Sequence, residues 1–293
     1  MRDFGIADEP HAGGKGASHG GAVDDGSDMK GPQFKHFRRG VAAGRVRDGS
    51  ASVPALRNLP ATIDDDWTGL QQTPAAGRRR FWSRRPLVNL HRDDPAARSF
   101  DLLRTRLLQV LRENGWRRMA VTAPRSGNGA TFTAVNLALS LARIPRSRTL
   151  LIDLNLRAPG IASILGVAPT GDMPKFLAGE LTVRDQFLRM GDTLALALAS
   201  GPDRDAAERL HDRRSVASVD RAVAALRPDV TVIDLPPMLE HDDATAFMPQ
   251  VDGVLLVADA TQTTAEDIAS CERLIDGQAA LLGVVLNRAR RSE

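Results

Sequence analysis

The 293-residue chain contains no tyrosine. No phenol side chain is available in this chain, whether as a hydrogen-bonding group or as a site of modification. A single cysteine, Cys271, excludes a disulfide framework or a cysteine-based metal site within one chain. No apolar run reaches the roughly 18 residues that a membrane-spanning helix needs, and the first residues carry no hydrophobic signal core. A cytoplasmic protein is the expectation. Excess charge is also scarce. The formal net charge is +3, and residues 1–96 account for it with 15 basic and 12 acidic side chains. The sequence pI near 9.6 therefore reflects a basic N-terminal region, and nucleic acid is not expected as a partner.

The most informative absence is a lysine. Residues 116–136 read WRRMAVTAPRSGNGATFTAVN: a short apolar run, a loop of small and turn-forming residues from Pro124 to Gly129, then an apolar helical period. Ala134, Leu137, Ala138 and Leu141 recur at i, i+3, i+4 and i+7. Strand, small-residue loop and helix are the layout of a phosphate-binding P-loop, in which loop N–H groups and the helix dipole converge on an anion. The consensus is G-x-x-x-x-G-K-[ST]. Gly129 and Thr131 fit it, whereas Pro124 stands at the first glycine and Ala130 at the lysine.

Along the chain, residues 1 to about 85 are rich in Gly, Pro, Ser and charge without a sustained apolar period, and disorder is expected. Arg78–Arg80 and Arg84-Arg85 flank Phe81 and Trp82, a pattern that suits a solvated linker or contact with an anionic membrane surface or acidic partner. Asp94-Pro95 reads as an N-cap and first helical residue. Phe100, Leu103, Leu107, Val110 and Leu111 then form one stripe, stopped at Asn114-Gly115. Continuous apolar strands are expected at 119–123, 148–153, 193–199, 230–234, 253–258 and 281–286. Two short helices are expected within 172–190, one helix over 203–227 and one over 264–275. Apolar strands alternating with helices imply a parallel sheet covered on both faces. The domains read as 1–90, a disordered N-terminal region, 91–290, one α/β domain, and 291–293, a short tail.

Ligands of such sheets sit beyond the carboxyl ends of the strands. Four features fall there: the 123–131 loop, Asp153, Asp234 and Asn287-Arg288. A strand-end aspartate beside a phosphate loop is the usual way to hold Mg²⁺, and Thr131 would offer its hydroxyl to the same ion.

These stretches resemble the bacterial tyrosine kinases of capsule and exopolysaccharide biosynthesis, within the wider Min- and Par-type P-loop ATPases. The resemblance is carried by LLRTRL (102–107), VTAPRSGNGATFTAVNLALSLA (121–142), TLLIDLNLRAPG (149–160), MPKFLAGE (173–180), ASGPDRDAAERL (199–210), VIDLPPML (232–239), VDGVLLVADATQTT (251–264) and GVVLNR (283–288). It implies a three-layer P-loop NTPase fold with a mostly parallel sheet. It implies ATP or ADP with Mg²⁺, the nucleotide held by Ser126, Gly127, Asn128, Gly129, Ala130, Thr131 and Phe132, with Asn287 at the adenine. The metal would fall to Thr131, Asp153 (the Walker A′ position) and Asp234 (the Walker B position). Asp153 and Asn155 occupy positions linked to catalysis in the kinases. Arg125 stands where Min- and Par-type ATPases place a second lysine that reaches across a dimer, so a guanidinium there could serve phosphate from a neighbouring subunit. Expected partners are a membrane-embedded polysaccharide co-polymerase or export protein, which would bring the chain to the inner membrane, and a second copy in a homodimer.

The departures from the family are specific. Ala130 replaces the lysine, and Asn155 replaces the second acidic residue of the Walker A′ motif. Arg98, Asp101 and Arg104 align with an E-x-x-R-x-x-R pattern used in ring assembly, with the first two signs reversed. The tyrosine cluster that the kinases phosphorylate in trans has no counterpart. Losing two charge-assisted hydrogen bonds of roughly 1.5–3 kcal/mol each predicts a rate loss of about 10²–10⁴, with binding hurt less than turnover. The expectation is a kinase-like regulatory module of exopolysaccharide export, weakened or inactive in catalysis. The alternatives are an active ATPase or kinase that uses Arg125 in place of the lysine, and a Min/Par-like positioning ATPase.

Overall fold

The computed structural model describes residues 66–73, 87 and 95–289. Its strands are β1 (Gln71–Thr73), β2 (Arg118–Thr122), β3 (Thr149–Asp153), β4 (Phe187–Met190), β5 (Leu194–Ala197), β6 (Val230–Asp234), β7 (Gly253–Asp259) and β8 (Ala280–Asn287). They form one eight-stranded sheet in the order β1-β4-β5-β3-β6-β2-β7-β8. Every pairing is parallel except that of β4 with β5. β3, β5, β6 and β7 are buried along their whole length and β2 from Met119 onward, which is why they read as unbroken apolar runs rather than alternating ones.

Three helices cover one face: α1 (Pro95–Asn114), α2 (Ala130–Leu141) and α3 (Ile161–Leu165). Leu107 and Leu111 of α1 and most of α2 pack there on Met119, Val121, Leu151 and Val232. Residues Thr133 to Leu141 of α2 are all buried, so this helix has no solvent stripe. The other face meets α4 (Met173–Leu177), α5 (Val183–Gln186), α6 (Ala206–His211), α7 (Arg213–Leu226), α8 (Asp243–Phe247) and α9 (Ala265–Ile275). Met173, Phe176, Leu210, Val219, Phe247 and Ile275 pack there on Ala120, Leu150, Ile152 and Ile233. Helix, sheet and helix make the three-layer P-loop NTPase architecture expected from the sequence.

Several local expectations need correction. The two short helices expected within 172–190 are α4 and α5, but the last four residues of that stretch are β4, an antiparallel partner of β5; four residues at a sheet margin leave too short a pattern to separate strand from helix. The single helix expected over 203–227 is two helices, because the Asp212 side chain accepts from the Arg214 N–H and starts α7 afresh. Within the region expected to be disordered, residues 66–73 are part of the fold. Trp67 is buried, its indole N–H donates to the Asp192 carbonyl at 3.0 Å, and the Arg148 guanidinium lies 5.1 Å above its ring. β1 then adds a strand beside β4. Asp94, the arginine clusters at 78–80 and 84–85, Phe81 and Trp82 lie outside the described residues, as does most of 1–90.

Two residues at the chain-proximal end of α1 show how the helix pair is joined. The Asp101 carboxylate accepts from Arg104 Nη1 at 3.1 Å and from Ser140 Oγ at 2.7 Å, and it pairs with Arg143. Arg104 also donates to the Ser140 carbonyl at 2.9 Å. Two of the three positions aligned with the ring-assembly pattern are therefore turned onto α2 of their own chain, while Arg98 is exposed.

Candidate functional site

The strand order brings the four strand-end features to one edge of the sheet. β2, which feeds the loop, lies between β6 and β7, and β3 lies beside β6. Because these strands are parallel, the loop after β2, Asp153, Asp234 and Asn287 all emerge on the same side.

The loop from Pro124 to Gly129 turns through two left-handed glycines, Gly127 at φ 80° and Gly129 at φ 100°. Gly129 is the N-cap of α2. A Cβ at Gly129 would stand 2.2 Å from Asn287 Nδ2, so both its backbone angle and its neighbour require glycine. The Asn128 side chain is buried and its Oδ1 accepts from the Arg125 N–H at 3.0 Å. Asn287 Nδ2 donates to the Asn128 carbonyl at 2.8 Å. The residue expected at an adenine thus also buttresses the back of the loop. Among the described residues, the N–H groups of Gly127, Gly129, Ala130 and Thr131 take no protein acceptor. That leaves a cradle of donors at the positive end of a twelve-residue helix. Ala130 is the first residue of that helix, and its methyl brings no charge to the cradle. Phe132 and Ala130 pack against the core on the α2 side.

Asp153 and Asp234 are direct register partners on β3 and β6, and both are wholly buried. Asp153 Oδ2 accepts from the Ile161 N–H at 3.2 Å, whereas Oδ1 has no partner. Burial pushes the Asp153 carboxyl up to about 7, against the pull of the Ile161, Asn155 and Gly160 N–H groups. Neither carboxylate oxygen of Asp234 has a hydrogen-bond partner. Burial raises this carboxyl well above the usual range, the Asp153 charge raises it further, and the nearby Thr131 hydroxyl pulls it back. Asn155 is buried with its Oδ1 unpartnered. Thr131 itself packs against Gly160, where a Cβ would meet Thr131 Cγ2 at 3.1 Å.

Unpartnered buried oxygens of this density are costly unless a cation or a proton sits among them. The donor set is all oxygen, as Mg²⁺ requires. Asp153, Asp234 and Thr131 would hold the ion, which when bound would neutralise phosphate charge beside the cradle. The residues present fit that group.

Three contacts around the loop are not visible in the motif. Arg125 Nη2 bonds Asp267 Oδ1 on α9 at 2.9 Å, and the arginine side chain is 58% exposed. Arg125 therefore has a partner in its own chain and does not turn into its own cradle. Glu240, six residues after Asp234, accepts from both the N–H and the hydroxyl of Ser126, each at 2.6 Å. Arg157 forms a two-bond pair with the buried Asp243, 2.6 Å from Nε and 3.0 Å from Nη2. It ties the loop after β3 to the start of α8. The local signal for these residues existed, since Arg157 lies in LNLRAPG and Glu240 and Asp243 in the LEHDD that follows the β6 motif. Nothing in the spacing says that they meet.

A central small-residue loop on a buried parallel sheet, with paired carboxylates at the adjacent strand ends, is the layout of the P-loop NTPase fold. The chain's homologues are bacterial tyrosine kinases of capsule and exopolysaccharide biosynthesis. The chain is 29% identical over 193 residues to the succinoglycan biosynthesis transport protein ExoP of Rhizobium meliloti, covering 63% of this chain and 24% of that protein. It is 28% identical over 175 residues to the tyrosine-protein kinase YwqD of Bacillus subtilis, covering 59% of this chain and 73% of that one. The kinase domain of the Escherichia coli tyrosine kinase ETK has the same fold, with a TM-score of 0.64 at 22% identity over 78% of this chain and 93% of that domain. The chain thus spans about a quarter of the length of the first of these relatives. No family model matches the chain. No helix among the described residues is long and apolar enough to cross a membrane.

Proposed function

We propose that this chain is a nucleotide-binding regulatory relative of the polysaccharide kinases, with Mg-nucleotide binding weakened and turnover near background. One observation carries the reading. The cradle and the Asp153–Asp234 pair are intact around the loop, while the charge that acts most strongly on a transferring phosphoryl group is missing at Ala130. Binding to N–H groups and Mg²⁺ survives that loss better than stabilisation of the transition state does. Asn155, neutral where the kinases carry a second acid, points the same way. The partner in this reading is a membrane-embedded polysaccharide co-polymerase or export protein, which would place the chain at the inner membrane. A homodimer remains part of the proposal.

The second reading, an active ATPase or kinase that uses Arg125, draws on the exposure of that guanidinium, which is free to reach a neighbouring copy if it leaves Asp267. Titration of purified full-length protein with Mg-ATP and Mg-ADP, together with an ATP hydrolysis assay, separates the two. Weak saturable binding with background hydrolysis supports the regulatory reading. Hydrolysis that Arg125→Ala abolishes would establish the second and end the first.

A further inference from the structure

The segment after β6 does not simply lie near the phosphate loop; it is laced to it. The Met238 N–H donates to the Ala123 carbonyl at 2.9 Å and the Leu239 N–H to the Pro124 carbonyl at 3.0 Å. The next residue, Glu240, then receives both the N–H and the hydroxyl of Ser126. Main-chain bonds on 238 and 239 set the Glu240 backbone beside the loop, so its carboxylate reaches Ser126 from a fixed starting point. Further along, Asp243 is clamped by Arg157, which fixes the far end of the same segment.

A carboxylate on loop N–H and hydroxyl donors is chemically what a phosphate oxygen would be. It is also tethered, so its effective concentration at the loop is of the millimolar order expected for a short link. In a loop with a lysine, such an anion would meet a compensating charge. Here Ala130 supplies none, and a positive charge that does act on Glu240 is that of Arg125, which is paired with Asp267 outside the cradle. The contact with Ser126 holds the Glu240 carboxyl below its ordinary value, so the group is charged at neutral pH.

We propose that Glu240 is a built-in competitor at the edge of the phosphate loop, an autoinhibitory contact that occupies both Ser126 donors and that a phosphate reaching beyond the open cradle to Ser126 must displace. The proposal rests on the reading of this loop as a nucleotide site. Nucleotide affinity is then set by how firmly the 238–243 segment is held, and a partner that pulls this segment away would raise it.

The test is calorimetric titration of full-length protein with Mg-ADP in four forms: wild type, Glu240→Gln, Ala130→Lys and the double variant. Glu240 is exposed, and matching melting curves would verify that the fold is kept. The expected result is that Glu240→Gln tightens Mg-ADP binding about tenfold in both backgrounds, the size of one charge-assisted contact. Exchange of the Ser126 amide hydrogen should quicken in the same variant. If Ala130→Lys binds Mg-ADP and the double variant binds no tighter, Glu240 is a strut and the autoinhibition is wrong, while the nucleotide reading stands. If none of the four forms binds, the loop is not a nucleotide site and both fall together.

Discussion

Asp153 and Asp234 face each other across adjacent parallel strands, wholly buried, with three of their four carboxylate oxygens unpartnered. Each raises the cost of charging the other. A group whose folded value lies above its unfolded one binds more protons in the folded state, so stability falls as pH rises between the two values. For Asp153 that window runs from 3.8 to about 7, and Asp234 shifts in the same direction. Metal-free protein should therefore melt at a higher temperature at pH 6 than at pH 8, and Asp153→Asn should flatten that slope. Mg²⁺ needs both carboxylates ionised, so its affinity should rise over the same interval with release of protons. Melting curves that are flat in wild type, or equally steep in Asp153→Asn, would contradict the coupling.

Restoring the lysine tests the loop directly. Ala130→Lys should tighten Mg-nucleotide binding by about 10²-fold if two charge-assisted bonds return. It should recover less turnover, because Asn155 also departs from the kinases. A variant that folds and changes neither binding nor rate would mean that the loop is only a scaffold.

Trp67 should matter to stability as a core residue does, although it precedes the domain expected from the sequence. Its ring is buried against the sheet and its N–H is satisfied by Asp192. Trp67→Ala should cost about 3–5 kcal/mol in denaturant unfolding. A loss below about 1 kcal/mol would show that residues 66–73 do not belong to the cooperative unit.

Asp101 organises the α1–α2 junction inside one chain. Asp101→Ala removes the acceptor of the Ser140 hydroxyl proton and one partner each of Arg104 and Arg143. Being partly exposed, the contact should be worth about 1 kcal/mol in chemical denaturation. With these groups turned inward and Arg98 of reversed sign, light scattering at micromolar concentration should find a monomer or dimer. A closed ring there would overturn this reading of α1.

Much of the architecture was legible in one dimension because it obeys local rules. Five buried strands read as apolar runs, Asp153 and Asp234 announced themselves as the residues that close two of them, and the glycines of the loop marked a backbone with positive φ. That Asp153 and Asp234 share one edge followed once a parallel sheet was granted, since parallel strands deliver their carboxyl ends to one side; that they are direct neighbours needed the strand order. β4 and the break at Asp212 were missed because four residues, or one capping side chain, carry too little periodicity to outvote their surroundings. Trp67 was missed because the segment around it has no period at all, and its distant partners include Asp192 in the β4–β5 turn and Arg148, more than eighty positions away.

The same division holds at the site. The sequence alone determined what chemistry is missing: a lysine at 130, an acid at 155 and every tyrosine are absent whatever the fold. Only the tertiary structure decided what the remaining groups do. Arg125 is tied to Asp267, Asn287 props Asn128, and Glu240 sits on Ser126, pairs separated by 142, 159 and 114 positions. An absence is a property of composition and position, so it can be read from a string. A contact is a property of distance, and distances between remote residues exist only once the sheet has set its strand order.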